Sequence, residues 1–402
     1  MYKITGKYNE AIVFSDFESM EKSAYGQIEQ LCNQEFVKDL KIRIMPDVHA
    51  GAGCTIGTTM TIKNKVVPNM VGVDIGCGME VVCLDNKRIN LPELDKTIKD
   101  YIPCGFNIRK KEHKFNDLID LEELRCKREL NFDRARKSIG TLGGGNHFIE
   151  AGKDENGNLY LIVHSGSRHI GLEVAEYYQN EAYKKLNKYS KKDIDKLIKD
   201  LKNQGREDEI QKTLEEIKQN KISDIPKTLA YVEDDLFEDY IHDMKIIQKF
   251  ADINRKAMVE EIIKKIKFDI VEQFTTVHNY IETNTMILRK GAVSAKNGKK
   301  LLIPMNMRDG SLICVGKGNS DWNYSAPHGA GRIMSRTEAK NSLILSDFRK
   351  SMDGIYTTTL SKDTIDEAPM AYKPMEEITK HIGETVEILN IIKPIYNFKA
   401  SE

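Results

Sequence analysis

Residues 304–336 read PMNMRDGSLICVGKGNSDWNYSAPHGAGRIMSR, and the rest of the chain is organised around them. The first half reads as part of a hairpin spanning Leu301 to Val315, because Asp309-Gly310 lies between two apolar strand-like runs and suits a tight β-turn. The second half sets His328 before Gly329-Ala330-Gly331, then Arg332 and Arg336 at a spacing of four. Glycines let backbone N–H groups approach an anion closely. Arginine forks fit phosphate oxygens bidentately and stay charged. A histidine in that setting is a base, a metal ligand or a nucleophile toward phosphorus. The plainer alternative is a loop in which the histidine caps a helix and the arginines make surface contacts.

Toward the C-terminus, the sequence predicts helices near 330–340 and 374–383 and a final strand, VEILNIIKPIYNFK. Toward the N-terminus lies FDIVEQFTTVHNYIE, strand-like and carrying His278 and Asn279. Before it, residues 172–268 change character. Ile194, Leu197, Ile198 and Leu201 form one helical stripe, and Ile210, Leu214 and Ile217 form another. Leu236, Tyr240, Met244, Ile247 and Ala251 continue the period in a long helix reaching about Lys267. Further upstream, Asp154-Glu-Asn-Gly-Asn158 signals a hairpin, and LYLIVHSGSRHIG ends in His164 and Gly166-Ser167-Arg168. Met20, Ala24, Ile28 and Leu31 share a helical face. Leu40 to Ile44 alternates as a strand does, and Pro46 is expected to end it. These elements predict an α+β fold: one composite β-rich core from 1–171 and 269–402, with 172–268 as an inserted helical arm. Alternating βαβ units are not evident, so a doubly wound sheet is not expected.

Composition narrows the class. The chain has 402 residues, 40% hydrophobic and 30% charged, as suits a soluble globular protein. It has no apolar run long enough for a transmembrane helix and no secretion-signal pattern at its start. Seven scattered cysteines without a CxxC pair point to reduced thiols in a cytoplasm. Zero net charge announces no nucleic-acid partner, although a local basic groove remains compatible with it.

Two constellations carry chemistry. Asp74 and Cys77 lie three apart in a Gly-rich loop, and His147, His164 and His278 lie at the ends of strand-like segments. Together they are an oxygen, sulfur and nitrogen ligand set, in which metal coordination would hold the cysteine as thiolate. Taken singly, a buried cysteine or histidine is more often a packed or hydrogen-bonded core residue. Only nine histidines exist, and five of them sit in Gly- or Asn-rich contexts. Ligand softness alone suggests zinc. The second constellation, Gly143-Gly-Gly-Asn146-His147, is suited to cradling phosphates on backbone amides, yet it is neither a Walker A loop nor a GxGxxG fingerprint. Glu150 is placed to accept from a guanine edge, or is a surface carboxylate. Arg168, Arg332 and Arg336 are candidates for RNA phosphates, contacts that position a strand without reading it.

MPDVHAGAG, VGVDIGCGM, LGGGNHFIE, HSGSR, VHNY, RKGA, HGAGRIMSR and DEAPMAYK together resemble the RtcB family of RNA-splicing ligases over nearly the whole length. The resemblance implies that Asp74, Cys77, His147, His164 and His278 hold two Mn2+ ions, with Cys77 bridging. It implies a GTP pocket made of Asn146, His147, Phe148, Ile149, Glu150, His278, Asn279, Pro304, Met305, Asn306, Met307, Ser311, His328, Gly329, Ala330, Gly331 and Lys399. It makes His328 the residue that becomes guanylylated. The implied activity joins RNA 3′-phosphate or 2′,3′-cyclic phosphate ends to 5′-hydroxyl ends, in tRNA splicing or RNA repair, with an archease-like activating partner. Departures mark a divergent branch: Pro304-Met-Asn-Met-Arg-Asp where Gly-Ser-Met-Gly is common, SAP before the histidine, and Ala-Ser-Glu after Lys399. Two other readings stand beside this one: a metal-dependent cyclic phosphodiesterase without ligation, and a non-catalytic RNA-binding module.

Overall fold

A computed structural model describes residues 1–187, 191–203, 206–219 and 223–400. The chain opens with β1 (Tyr2–Thr5), β2 (Glu10–Val13), α1 (Lys22–Cys32), β3 (Ile42–His49), β4 (Ile56–Thr61), β5 (Lys65–Val66) and β6 (Gly78–Leu84). Then come α2 (Leu91–Tyr101), α3 (Phe132–Arg136), β7 (Phe148–Lys153) and β8 (Leu159–Ser165). A helical stretch follows: α4 (Arg168–Leu186), α5 (Lys191–Asn203), α6 (Ile210–Gln219), the short β9 (Val232–Glu233) and α7 (Asp235–Ile266). Strands resume with β10 (Ile270–Val277), β11 (Asn279–Glu282), β12 (Ile287–Lys290), β13 (Ala292–Ser294), β14 (Lys300–Asn306), β15 (Gly310–Gly316) and β16 (Ser325–Pro327). The chain closes with α8 (Arg336–Ser342), α9 (Leu345–Ser351), α10 (Met375–Ile382) and β17 (Val386–Lys399).

The architecture is α+β. A six-stranded sheet runs β1-β2-β3-β4-β12-β11, and a seven-stranded sheet runs β10-β6-β8-β7-β17-β15-β14. Every pairing in the larger sheet is antiparallel. The expected hairpins are β7–β8 and β14–β15, the second turning at Asp309-Gly310. β17 joins them, its first half pairing with β15 and its second with β7, so that Lys399 lies opposite Phe148.

Strand alternation divides the core. Val82, Leu84, Leu161 and Val163 face α2 and α7, packing with Leu94, Ile98, Met258 and Ile262. Met79, Val81, Tyr160 and Ile162 face the other way, onto Leu302 and Ile313 of the same sheet, which therefore curls over itself. Each such side chain contributes about 1.5–3 kcal/mol on burial. Val174 and Tyr178 of α4 and Tyr240, Met244 and Phe250 of α7 join Ile42, Ile44 and Met60 in one apolar cluster. Those two helices of segment 172–268 thus lie within the core rather than apart from it. The α5 and α6 stripes are only half-buried at Ile194, Leu197, Ile198, Ile210 and Leu214, and buried at Leu201. The side chain of Ile217 is outside the described residues. β3 does not stop at Pro46. It runs through to His49, because its ladder with β4 is interrupted between Ile44 and His49, where a missing N–H breaks no pairing. No helix among the described residues is long and apolar enough to cross a membrane.

Candidate active site

Strand register assembles the ligand residues. β6 lies between β10 and β8, with Gly78 opposite both Val277 and Ser165, and His164 lies opposite Phe148 of β7. Cys77, His278, His164 and His147 each stand at or beside the same end of these four neighbouring strands, so their side chains converge. Two triads result, Cys77–His164–His278 and Asp74–Cys77–His147, each with ligand atoms within 4.8 Å of one another, sharing the cysteine.

The donor atoms suit cations. The Nδ1–H of His147 donates to the Leu142 carbonyl at 2.9 Å, and that of His164 to the Asn146 carbonyl at 3.2 Å. Each neutral ring then has its lone pair on Nε2, a fixed tautomer of the kind metal ligands use. Those Nε2 atoms lie 3.5 and 3.3 Å from Cys77 Sγ, and His147 Nε2 lies 3.0 Å from Asp74 Oδ2. His278 Nδ1 is buried with no hydrogen-bond partner. A lone pair facing a carboxylate, a thiol and an orphaned ring nitrogen are satisfied together by positive charge. Burial, then the charge of Asp74, pushes the Cys77 thiol well up, the direction that a bound cation reverses. Burial works against the Asp74 carboxylate as well, but a protonated His147 ring, the form that a bound cation would displace, and the N–H of Ser167 outweigh it and hold the group well down. Ser167 donates to Asp74 Oδ1 from its N–H at 2.8 Å and its Oγ at 3.0 Å. That approach needs Gly166, since a Cβ there would stand 2.1 Å from Oδ1.

Behind this rim, α7 supplies two residues that the hydrophobic stripe does not advertise. Asn254 Oδ1 accepts from the N–H groups of Gly140 and Thr141, while its Nδ2 donates to Ser165 Oγ and the Gly166 carbonyl. Arg255, wholly buried, donates from Nη1 to the carbonyls of Gly76 at 2.7 Å and Ser165 at 2.9 Å. The three ligand-bearing loops are therefore tied to one helix.

His328 stands beside the cluster, its ring centroid 4.9 Å from that of His278. Asp47, fully buried, holds it: Oδ2 accepts from His328 Nδ1 at 2.6 Å and from the N–H groups of His328 at 3.0 Å and Gly329 at 3.2 Å. Asp47 lies within MPDVHAGAG, but no local pattern marks its role. Its position beside a candidate histidine motif was the only signal, because its partner is 281 residues away.

A cavity of about 390 Å³ opens from this point. Asn146, Phe148, Glu150, Pro304, Met305, Asn306, Met307, Ser311, Gly329, Ala330, Gly331 and Lys399 line it, with His164, His278 and His328. Ile149 does not: alternation on β7 turns it into the opposite core, leaving Phe148 and Glu150 on the cavity side. Asn279 and His147 are also outside the lining; Asn279 braces the loops, accepting from Gly291 N–H and donating to the Asp74 carbonyl, and His147 faces Asp74 and Cys77 instead. At the deep end Glu150 Oε2 accepts from Asn397 Nδ2 at 2.9 Å, while Glu150 Oε1 and Asn397 Oδ1 are buried without partners. Burial raises the Glu150 carboxyl to about 8. Lys399 pairs with Glu367 and donates to the Asn146 carbonyl. Burial opposes the Glu367 charge, but Lys399 and Arg336 outweigh it and hold the group down to about 2. Arg332 and Arg336 line the same cavity and are engaged by Glu367 and Asp366. Arg168 turns inward, donating to Thr141 Oγ1 and the Gly105 carbonyl. Asn397, Glu367 and His49, which also line the cavity, were not singled out as site residues from the sequence.

Comparison with known proteins identifies the family. The family model of tRNA-splicing ligase RtcB matches residues 27–400. RNA-splicing ligase RtcB of Escherichia coli strain K12 is 30% identical over 391 residues, covering 88% of each chain. The tRNA-splicing ligase RtcB of Aeropyrum pernix is 24% identical, covering 84% of this chain and 83% of the relative. That of Thermococcus kodakarensis is also 24% identical, covering 92% and 90%. A match that runs from residue 27 to residue 400 places the chain in the tRNA-splicing ligase RtcB family.

Proposed function

We propose that the chain is a GTP- and manganese-dependent RNA ligase that works through a histidine–GMP intermediate on His328. The observation that carries this reading is the position of His328, between a cluster of candidate cation ligands and a pocket that presents two unpartnered buried oxygens, Glu150 Oε1 and Asn397 Oδ1. Guanine presents N1–H and N2–H donors on one edge, which complement Glu150 Oε1 and Asn397 Oδ1. Asp74, Cys77, His147, His164 and His278 would hold the cations, two Mn2+ with Cys77 shared. When bound, such ions offset phosphate charge and orient an attacking group.

The chain's own groups do the rest. Asp47 keeps the imidazole proton on Nδ1, leaving Nε2 as nucleophile. Nε2 attacks the α-phosphorus of GTP; the P–N bond forms, the bond to the bridging oxygen breaks, and pyrophosphate leaves. The ring becomes cationic as it is phosphorylated, and the buried Asp47 carboxylate offsets that charge. Water opens a 2′,3′-cyclic phosphate to a 3′-phosphate. An oxygen of that 3′-phosphate then takes GMP from His328, breaking the P–N bond. The 5′-hydroxyl of the second strand attacks the activated 3′-phosphorus, forming the phosphodiester and releasing GMP.

Incubation with α-labelled GTP tests this directly. An acid-labile adduct is expected on the wild-type chain and absent from His328→Ala. A cyclic phosphodiesterase that does not ligate would open the cyclic phosphate without forming any adduct, and that outcome would overturn the proposal.

A further inference from the structure

We propose that the loop after α2, together with α3, is a landing surface for single-stranded RNA, on which Phe106 stacks a base and neighbouring cations hold the backbone. The inference rests on the ligase reading for its choice of partner. Phe106 is 81% exposed, yet its loop is restrained. Gly105 N–H donates to the Gly143 carbonyl at 2.9 Å, Arg109 N–H to the Lys137 carbonyl at 2.9 Å, and Asn107 N–H to the Cys104 carbonyl at 3.1 Å. Arg168 Nη2 donates to the Gly105 carbonyl at 2.7 Å, and Arg134 Nη2 to the Phe106 carbonyl at 3.2 Å. An aromatic ring held out to solvent on so tightly bonded a backbone is a preformed stacking platform, and stacking tolerates any base.

Charge favours a nucleic acid over a protein. Residues 105–114, GFNIRKKEHK, carry Arg109, Lys110, Lys111 and Lys114 against Glu112 alone. Lys114 is paired with Glu260 and Arg109 lies near Glu261, but Lys110, Lys111 and Arg134 are in no ion pair among the described residues. A single exposed ring beside the unpaired Lys110 and Lys111 offers a protein partner little apolar area, whereas it matches an alternation of base and phosphate. The surface also leads to the chemistry. Gly143, which the loop grips, is packed so closely on the rim that a Cβ there would stand 2.8 Å from Nδ1 of the ligand His147.

The test uses the full chain and a short single-stranded RNA with a 3′-phosphate and an internal 2-aminopurine. Binding is followed by anisotropy and stacking by 2-aminopurine quenching. Phe106→Ala is expected to weaken binding by about tenfold, the loss of one base–aromatic stack, and to remove the quenching, with Phe106→Tyr restoring both. Changing Lys110 and Lys111 to Gln should lower the salt slope of binding by about 0.7 for each phosphate no longer neutralised. Unchanged affinity and quenching in Phe106→Ala, or a wild-type chain that does not bind this RNA, would overturn the inference. Adduct formation from labelled GTP needs no RNA and separates the two proposals. If the adduct forms but Phe106→Ala binds RNA as the wild type does, the landing surface fails alone. If no adduct forms while Phe106→Ala loses RNA binding, the ligase reading fails and the surface stands.

Discussion

At the scale of single residues, the chemistry turns on two buried carboxyl groups. Asp47 commits one oxygen to His328 and the backbone that carries it, and its other oxygen is buried without a partner. Asp47→Asn keeps the shape but replaces an acceptor that fixes the ring tautomer. We expect adduct formation to slow by about 10²–10⁴-fold with GTP affinity little changed, measured by single-turnover guanylylation. Glu150 is raised to about 8 by burial, so at neutral pH most of it is protonated in the empty pocket. On the proposed reading the guanine donors favour the carboxylate, so GTP binding should release a proton. Affinity should rise with pH up to the raised value, by up to about tenfold per pH unit. Calorimetry in two buffers of different ionisation enthalpy reads the proton directly, and Glu150→Gln should abolish its release and flatten the profile. The residue types at both positions are plain in the sequence, but neither pairing is. Asp47 meets His328, and Glu150 meets Asn397, across most of the chain.

Elements explain why some residues near a motif work and others do not. Phe148 and Glu150 reach the cavity and Ile149 does not, because a strand sends alternate side chains to opposite faces. On β7 the contiguous motif therefore overstates the lining, whereas the irregularity in β14 between Pro304 and Asn306 lets successive residues line the cavity. Helix α7 shows the converse. Its apolar stripe is legible at Tyr240, Met244 and Ile247, but its contribution to the site comes from Asn254 and Arg255, polar residues whose partners are backbone groups of distant loops. Asn254→Ala strands the buried N–H groups of Gly140 and Thr141. It should cost about 1–3 kcal/mol for each group left unsatisfied, read by denaturant unfolding of the metal-free chain. Mn2+ affinity should also fall by about 10–100-fold, as for other outer supports of metal ligands. Wild-type affinity in this variant would show that α7 does not set the rim.

For the whole molecule, the candidate cation ligands come from four separated stretches between Asp74 and His278, so a bound cation would link parts of the fold that unfolding separates. Saturating Mn2+ should add about 2.7 kcal/mol to stability at about 100 times Kd, seen as a rise in Tm that chelation reverses. Cys77→Ala, which removes the shared ligand, should abolish the rise, whereas His328→Ala should keep it.

Taken alone, the sequence determined the periods and the punctuation. Helical stripes, alternating strands, the Asp-Gly and Asn-Gly turns and the chemical types of the ligands are local properties, carried by neighbours within a few residues. It also carried the family resemblance, through motifs spread over nearly the whole length. Tertiary structure alone decided that α4 and α7 pack with Ile42, Ile44 and Met60, that β3 continues through Pro46, which strand faces meet the cavity, and that Asp47 holds His328. Those outcomes depend on sheet register and on which polar groups remain unsatisfied after packing. Both are set by interactions between residues far apart in the chain, which no local pattern encodes.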